Sequence, residues 1–433
     1  MISFWVNHIS DALWGIFLPF LILLGLYINF RMLQVRNRIS NADNSEWKFS
    51  KINSALSISL ASKTGTGAII GVLAAMWLGS QNGIGGEGIV LWIAIGMLVM
   101  VPITYSEVLF TQVAKLTPRQ FINKYLNHSA AKIYALGLVA LYAFGFVGFQ
   151  FSGVQTVVRL FSIQYFDYQF TATAALLGIV IPILIAVSIV IFTKSHQIFV
   201  NALSSMIFSL IIAYVLFFIF FVAKTSDFFI SYLQIIYHDF TQFRSIGIGL
   251  PAGLIFGFQR IIQISETSLG TAALSSSERL NSPRREAAVQ TLATVISIFI
   301  AVVITSYVFS YGTHHFADVQ LVADGFTRIK GFILTAYHVT GALGAAVVLA
   351  FFVISGFTTI LGSFHYVNTS LNLHLNARIA VYLTLISISG CLSVANFGVI
   401  FDASNLLMFV VGAFNLIAIS RFLSKENFKL LTY

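Results

Sequence analysis

Long runs of apolar residues dominate the pattern along the chain, and short polar segments separate them. A helix needs about 20 mostly apolar residues to cross a bilayer. The runs do not alternate polar and apolar positions, as the strands of a membrane β-barrel would. The pattern therefore predicts an all-α polytopic membrane protein with eleven transmembrane helices, at residues 12–30, 54–79, 88–110, 132–160, 171–193, 198–223, 246–275, 287–311, 338–366, 377–396 and 403–423.

The basic residues are distributed unevenly between the two sides of this arrangement. When residues at the ends of spans are counted with the adjacent loop or tail, 17 of the 24 Lys and Arg residues fall in loops after odd-numbered spans or in the C-terminal tail, 5 fall on the opposite side, and 2 lie within spans. Cytoplasmic loops carry the excess of Lys and Arg in membrane proteins. We therefore predict that the N-terminus is outside and the C-terminus is cytoplasmic. A missed or invented span would blur this asymmetry, so it also supports the number eleven.

Composition narrows the classes of function. Hydrophobic residues make up 58% of the chain and charged residues only 9%, whereas soluble domains carry about 25% charge. We expect the lipid bilayer as the surroundings and no nucleic-acid partner, because the basic residues lie between apolar runs rather than on one face. The single cysteine, Cys391, excludes a multi-thiolate metal site. Enzyme motifs are missing, so we predict a protein that is not an enzyme and has no cofactor.

Two predicted spans contain stretches that a plain helix should avoid. The second span holds Lys63-Thr64-Gly65-Thr66-Gly67, and the seventh holds the polar run from Ser265 to Thr271. Glycines weaken a helix and let the backbone approach a ligand. For either stretch alone, close helix packing through small residues is as good an explanation as a break that binds a ligand. Two of them, five spans apart, lie in helices of opposite direction, which is the pattern of an inverted-repeat transporter.

The predicted organisation is a single transmembrane domain over residues 1–433. Residues 54–223 form the first five-helix repeat, residues 246–423 form the second, and 12–30 is a peripheral extra helix. Broken helices in such transporters hold the ligands near the midplane of the membrane. Their N-termini face an anionic group, and their freed carbonyls bind a cation.

Four ionisable residues lie within the predicted spans and more than two residues from either end: Lys63, Glu107, Arg260 and Glu266. A Lys, Arg or Asp there costs ~2.5–3.5 kcal/mol unless it faces the interior of the bundle and pairs. Lys63 and Glu266 lie at the two breaks and are candidate partners. We assign these two residues and Arg260 to coupling or gating, with a purely structural pair as the equal alternative for Arg260. Glu107, near the cytoplasmic end of the third span, is more simply explained as a snorkelling carboxylate or as a tie to a loop.

Polar side chains on two further spans complete the candidate site. The neighbouring hydroxyls of Thr358 and Thr359 suit Na⁺, because hard cations take oxygen ligands. The alternative is that each hydroxyl bonds to its own helix. The fourth span offers Phe151 and Gln155, and a bond between helices would equally explain a buried Gln155.

Four motifs, in order along most of the chain, resemble the alanine/glycine:cation symporter family, also called sodium:alanine symporters. LASKTGTGAIIG, from Leu60 to Gly71, is similar to V-G-T-G-N-I-A-G, and Trp92 through Glu107 resembles a helix with F-W-M-W and Y-x-E. Arg260 through Gly270 resembles R-G-x-F-S-N-E-A-G-L-G. FTTILGSFHY, from Phe357 to Tyr366, is similar to F-T-T-I-L-G-W-x-Y-Y.

This resemblance implies a LeuT-like 5+5 inverted repeat with one extra N-terminal helix. It also implies import of small neutral amino acids, alanine-like or glycine-like, by symport with Na⁺ as the coupling ion. The implied substrate-binding positions are Gly65, Thr66, Gly67, Phe151, Gln155, Ser265 and Thr267. The implied Na⁺ site uses Thr358 and Thr359 with carbonyls near Ala61 and Thr64.

Departures from the family pattern leave alternatives open. Ala68 replaces an Asn, and because a methyl group cannot bind a cation we expect one Na⁺ rather than two. The changed residues Ser265 and Thr267 put alanine itself in question. Lys63 near the vacated position favours, as the alternative, a proton-coupled or Na⁺-independent transporter in which Lys63 replaces a cation. A channel fits less well, because one asymmetric chain offers no rings of charge.

Short loops, and a first span without a basic leader, indicate a multi-pass protein of a cell membrane, the inner or plasma membrane of a prokaryote.

Overall fold

The computed structural model describes residues 2–35, 52, 56, 59–81, 86–193, 196–242, 245–246, 250–276, 282–395 and 397–425. These residues are almost entirely helical, apart from a small antiparallel ribbon of β1 (Ser245–Ile246) and β2 (Leu250–Pro251). In chain order the helices are α1 Ile2–Val35, α2 Thr66–Gln81, α3 Ile89–Ala114, α4 Pro118–Tyr125, α5 His128–Ala140, α6 Phe146–Phe166, α7 Ala172–Ala175, α8 Ile181–Phe192, α9 His196–Lys224, α10 Phe228–Phe240, α11 Ala252–Ser265, α12 Thr271–Ser275, α13 Pro283–Ile298, α14 Thr305–His315, α15 Gly325–Ser370, α16 Leu375–Ala395 and α17 Phe397–Lys425. Wider π-helical turns lie at Leu141–Gly145, Leu176–Val180 and Phe299–Ile304.

Among the described residues, 10 helices are long and apolar enough to cross a membrane. They coincide with ten of the eleven predicted spans, for example Ala172–Phe192 with the prediction 171–193. The remaining predicted span, 246–275, is divided between α11 and α12, which have 14 and 5 residues. The all-helical, multi-pass membrane architecture is therefore confirmed, and the seventh apolar run is broken at the place where the sequence predicts a break.

The ninth predicted span, 338–366, is part of a longer element. Helix α15 has 46 residues and contains a kink at Gly341, where φ is 71°. Its first part begins where Asp324 Oδ2 accepts a hydrogen bond from Thr327 N at 2.8 Å, which is the usual way a helix N-terminus is capped. The hydropathy pattern leaves this first part outside the span because it contains charged residues such as Arg328. The cap and the buried Phe332 stabilise it as a helix.

The centre of the molecule is α2, together with the short helix 59–63 that precedes it. Most residues of α2 are buried, and it packs against α6, α11 and α15. Helix α3 contacts α11 and α13, and α1 packs along α17. Large apolar side chains on the outer helices are exposed, including Leu23 at 66%, Ile189 at 64% and Leu216 at 60%. Such a surface is suited to lipid chains, and it encloses a polar centre around α2.

Candidate substrate and ion site

The first break interrupts the second span. A short helix covers residues 59–63, Thr64 and Gly65 leave the helical conformation, and α2 begins at the next residue. A Cβ atom on Gly65 would lie 2.5 Å from Thr359 Oγ1 and 2.5 Å from Gln150 Oε1. Cβ atoms do not approach other atoms that closely. The break therefore needs glycine because α6 and α15 come into direct contact with its backbone.

Gln150 of α6 is the polar side chain that packs on this bend. Its Oε1 accepts a hydrogen bond from Thr66 Oγ1 at 2.9 Å, and its Nε2 donates to Phe146 O at 3.2 Å. Thr66 rests on Gly153, where a Cβ atom would lie 2.5 Å from Thr66 Oγ1. Sequence reasoning missed Gln150. The available signal was Gly153, a small residue that marks the face of α6 approached by another helix.

Phe151 and Gln155, which the sequence assigns to the pocket, lie on another face of α6. Gln155 Nε2 donates to Ser393 Oγ of α16 at 2.7 Å. The Phe151 ring lies against Gly390 of the same helix. Five residues along an α-helix turn the side chain by about 140°, so Gln155 points away from the face that carries Gln150. The structure does not bring Phe151 and Gln155 to the first break.

The second break, between α11 and α12, is held by side chains from other helices. Glu266 and Ser268 both have positive φ, at 55° and 67°, a conformation that non-glycine residues rarely adopt. Asn415 Nδ2 donates to Ser268 O at 2.9 Å, and the Tyr134 hydroxyl donates to Leu269 O at 2.7 Å. These bonds satisfy carbonyls that a continuous helix would have used, and they offset the cost of the strained backbone.

The hydroxyls of Ser265 and Thr267 are used within this second break. They are hydrogen-bonded to each other, and Ser265 Oγ also donates to Ile261 O at 2.5 Å. Both side chains are buried. The structure therefore places these two predicted substrate residues at the break, with their hydroxyls engaged in local bonds.

Glu107 connects α3 to the same break. Asn415 Nδ2 donates to its Oε2 at 3.0 Å, and the backbone amides of Gly270 and Ala273 lie beside the carboxylate. A carboxylate at the start of a helix is stabilised by the helix dipole. The interpretation of Glu107 as a tie to a neighbouring segment agrees with this placement.

Hydrogen bonds join the two breaks to each other and to α15. Ser62 Oγ lies 3.3 Å from Glu266 Oε2 and 2.7 Å from the Tyr366 hydroxyl. The Tyr366 hydroxyl lies 2.8 Å from Ser275 Oγ of α12, and Thr271 Oγ1 donates to Glu266 Oε2 at 3.2 Å. The two interrupted helices are thus neighbours in space, as the inverted-repeat interpretation expects.

Lys63 does not contact the partner that the sequence suggests for it. Its Nζ donates to Thr294 Oγ1 of α13 at 2.8 Å, and the side chain is buried. Lys63 and Glu266, both in the described part of the chain, form no ion pair, because Lys63 Nζ lies more than 4.0 Å from the carboxylate oxygens of Glu266. The expected direct pair is therefore a wrong prediction. Lys63 points toward α13, whereas Glu266 is hydrogen-bonded at the second break.

Arg260 is fully buried and contacts helix α17. Its guanidinium donates to Gln263 Oε1 and, at 3.4 Å, to Asn405 Oδ1, and it lies 4.9 Å from the centre of the Phe401 ring. Trp14 of α1 donates to Asn405 O at 3.1 Å. Arg260 therefore links the first half of the broken seventh span to α17, and Trp14 links α1 to α17.

The predicted Na⁺ ligands fall into two groups. Thr359 Oγ1 donates to Ala61 O at 2.8 Å, so these two oxygens meet beside the first break. The hydroxyls of Thr358 and Thr64 donate to carbonyls of their own helices at 3.1 and 2.5 Å. Ser355, one turn before Thr359, has a buried hydroxyl with no partner among the described residues. Sequence reasoning did not select Ser355, although its spacing from Thr359 places both on one helix face.

A cavity of about 20 Å³ lies between the two breaks. By this measure it is large enough for about one water molecule. Two features stand out in its lining, the glycine backbone of the first break and several buried polar side chains. The lining residues are Ser62, Lys63, Gly65, Gly67, Ala68, Phe146, Phe149, Gln150, Gln263 and Glu266.

The chain is similar to one known protein family and to solved structures of membrane transporters. The sequence model of the sodium:alanine symporter family matches residues 1–433. No sequence among the curated proteins matches the chain. A solved structure of a Na⁺-coupled sialic acid symporter, substrate-bound and outward-open, is similar with a TM-score of 0.53 at 14% identity, over 92% of this chain and 80% of that chain. A manganese transporter of Eremococcus coleocola is similar with a TM-score of 0.50 at 13% identity, over 87% and 79%. At these identities the structural likeness shows the fold alone.

Proposed function

The chain belongs to the sodium:alanine symporter family, and from that premise we propose that it imports small neutral amino acids, alanine-like or glycine-like. Family membership makes it a multi-pass membrane transporter with Na⁺ as the coupling ion and an amino acid as the substrate, and not an enzyme. The restriction to small neutral amino acids is our proposal. It is supported by the family to which the chain belongs, whose name specifies alanine.

The first break is the proposed site for the substrate carboxylate. Helix α2 begins at Thr66, and the first backbone N–H groups of a helix have no partner within it. The helix dipole adds partial positive charge at the same place. Gly65 and Gly67 both line the cavity, and without side chains they leave these N–H groups open to a ligand. Gln150 fixes Thr66 and with it the orientation of the bend.

The observation that carries the coupling proposal is the contact between Thr359 Oγ1 and Ala61 O at 2.8 Å. Ala61 lies in the last turn of the helix 59–63, where the dipole presents partial negative charge. A Na⁺ ion placed here takes the carbonyl oxygen of Ala61 and the hydroxyl oxygen of Thr359, and one turn away lies the Ser355 hydroxyl, which has no partner in the described part of the chain. Thr358 and the backbone near Thr64 are the remaining proposed ligands. This donor set consists of hard oxygen atoms, which fits Na⁺.

The larger framework is also a proposal. We place eleven spans in two inverted repeats, 54–223 and 246–423, with the helix 12–30 outside them and the N-terminus outside the cell. The neighbouring positions of the two breaks support this arrangement, because inverted repeats bring their broken helices together at the midplane. The cell membrane of a prokaryote is the location that we propose.

A second candidate is a proton-coupled or Na⁺-independent transporter in which Lys63 supplies the charge. It is favoured by one observation: Lys63 is buried, lines the cavity and bonds to a neutral hydroxyl, Thr294, rather than to a carboxylate. An ammonium in such surroundings changes its protonation readily.

The two candidates are separated by uptake into proteoliposomes. Radiolabelled alanine, glycine, serine and larger amino acids are offered while a Na⁺ gradient and a pH gradient are imposed one at a time. Our proposal predicts accumulation of the small amino acids under the Na⁺ gradient at equal pH. Accumulation under the pH gradient alone, without Na⁺, would establish the second candidate. Ohmic current without saturation would instead establish a channel.

A further inference from the structure

Arg260 fixes the orientation of a glutamine side chain at the cavity. A guanidinium contains only hydrogen-bond donors, so the amide atom that faces Arg260 must be the acceptor Oε1 of Gln263, as found. The described acceptors of the guanidinium are the amide oxygens of Gln263 and Asn405. Because its partners are amides rather than carboxylates, the buried charge of Arg260 holds the Gln263 oxygen firmly. The other end of the amide, Nε2, is then presented as a donor.

Gln263 lines the cavity one helix turn away from the glycines of the first break. A Cβ atom on Gly71 of α2 would lie 2.8 Å from Gln263 Oε1 and 3.3 Å from Gln263 Nε2. Gly67 and Gly71 are four residues apart, which corresponds to roughly 6 Å along the helix. An amino acid whose carboxylate is held at Gly67 therefore extends a side chain of two or three heavy atoms to the Gln263 amide.

We propose that Gln263 selects amino acids whose short side chain carries an acceptor oxygen, a hydroxyl or a carboxamide, over amino acids with an apolar side chain. The inference rests on the proposed function, because it assumes that the carboxylate is held at the first break. An alanine-like side chain leaves the Nε2 donor without an acceptor inside a buried site, and an unmade hydrogen bond there is costly. The neighbouring guanidinium polarises the amide and strengthens its N–H groups as donors.

The test compares two substrates of nearly equal shape, serine and 2-aminobutyrate, which differ by a hydroxyl and a methyl group. Na⁺-driven uptake into proteoliposomes gives kcat/KM for each substrate. We expect the wild-type protein to favour serine by about tenfold or more, since sites built to hydrogen-bond a substrate reject analogues that lack the group. The Gln263→Leu variant should reduce this ratio to about one.

Two further variants keep the test decisive. Gln263→Met keeps a side chain of similar length but has no N–H donor, so it should also lose the preference for serine if Gln263→Leu does not fold. Gln112→Leu removes another amide that bridges helices, from Gln112 Nε2 to Ser276 Oγ at 3.0 Å, and should leave the ratio unchanged. A wild-type protein that prefers 2-aminobutyrate, or a Gln263→Met variant that keeps the serine preference, would overturn the inference. A wild-type protein without any Na⁺-driven amino acid uptake would refute the proposed function itself.

Discussion

The two breaks each interrupt a helix in the centre of the molecule, and they do so with different residues. The first is short and contains Gly65, with Gly67 just after it in α2, and no positive φ falls within it among the described residues. The second extends from Glu266 to Gly270, where φ is 85°, and includes two non-glycine residues with positive φ. Side chains from α5 and α17 hold the second break in place. The first break instead has its backbone open to the cavity.

This difference indicates that the two breaks have different roles. A break that contains glycine leaves N–H and carbonyl groups accessible to a ligand, so the first break is suited to binding substrate and Na⁺. A break whose carbonyls are already bound by Tyr134 and Asn415 is suited to positioning α11 and α12. Substitutions at the first break should therefore change transport parameters, and substitutions at the second should mainly change the stability of the protein.

The largest effect is expected from Gly65→Ala. The new Cβ atom would lie 2.5 Å from both Thr359 Oγ1 and Gln150 Oε1, so the bend must move and the proposed site is lost. We expect uptake to fall by at least about a hundredfold, since misplacing a binding group by 1 Å can cost that much, with normal expression in the membrane. Gly15→Ala, at a glycine with no other atom within 4 Å of the new Cβ position, is the control. Wild-type uptake by Gly65→Ala would refute the role of the first break.

Thr359→Val tests the ion site at the same break. Valine has nearly the same shape as threonine but no oxygen ligand. Losing one ligand worth about 1.4 kcal/mol raises the Na⁺ concentration for half-maximal uptake about tenfold, with little change in substrate affinity at saturating Na⁺. Thr369→Val is the matched control, because Thr369 lies on the same helix and donates to His365 O at 2.8 Å. An unchanged Na⁺ dependence in Thr359→Val would leave the hydroxyl with a structural role only.

Tyr134→Phe tests the second break. The change leaves Leu269 O without its hydrogen bond, and a buried group left unpaired costs about 1–3 kcal/mol. We expect lower thermal stability in detergent, with the Na⁺ half-saturation within about twofold of wild type. Tyr27→Phe, which removes a hydroxyl bonded to Ser424 Oγ near the surface, should have a smaller effect. A large change in Na⁺ affinity in Tyr134→Phe would contradict the separate roles of the two breaks.

The smallest effect is expected from Lys63→Met. Two cations within a few ångströms repel by several kcal/mol in an effective dielectric of about 20. Removing the Lys63 ammonium should therefore favour binding of Na⁺, and partial screening of the charges reduces this gain. We therefore expect tighter Na⁺ binding, with a half-saturating concentration lowered by roughly threefold. Loss of uptake driven by a pH gradient in this variant would instead identify Lys63 as the coupling group.

The fold was largely predictable because the bilayer dictates the length of each apolar run. Where a run is uniformly apolar, as at 171–193, prediction and structure agree closely. The helical part of α15 before Gly341 was not predicted, because it carries charged residues and depends on the Asp324 cap. A hydropathy pattern contains no information about a helix N-cap.

The candidate site was predictable only where a single residue acts locally. Glycine marks a break by itself, so Gly65 and Gly67 were found. Gln150 was missed and Gln155 chosen because α6 is buried on several faces, and a helix that is apolar all round has no periodicity to show which face meets α2. The expected contact between Lys63 and Glu266 failed for a similar reason. Both lie at breaks, but the direction of each side chain is set by its neighbours, Thr294 and Ser62.

The most direct test of the account is the ratio of Na⁺ to amino acid carried in one transport cycle. Radioactive sodium and labelled amino acid are measured together in proteoliposomes at equal pH inside and outside. The account predicts coupled fluxes in a ratio of about one, because one set of oxygen ligands meets at Ala61 and Thr359 and Ala68 supplies no second side-chain ligand. Amino acid uptake without movement of Na⁺, or a ratio clearly approaching two, would contradict it.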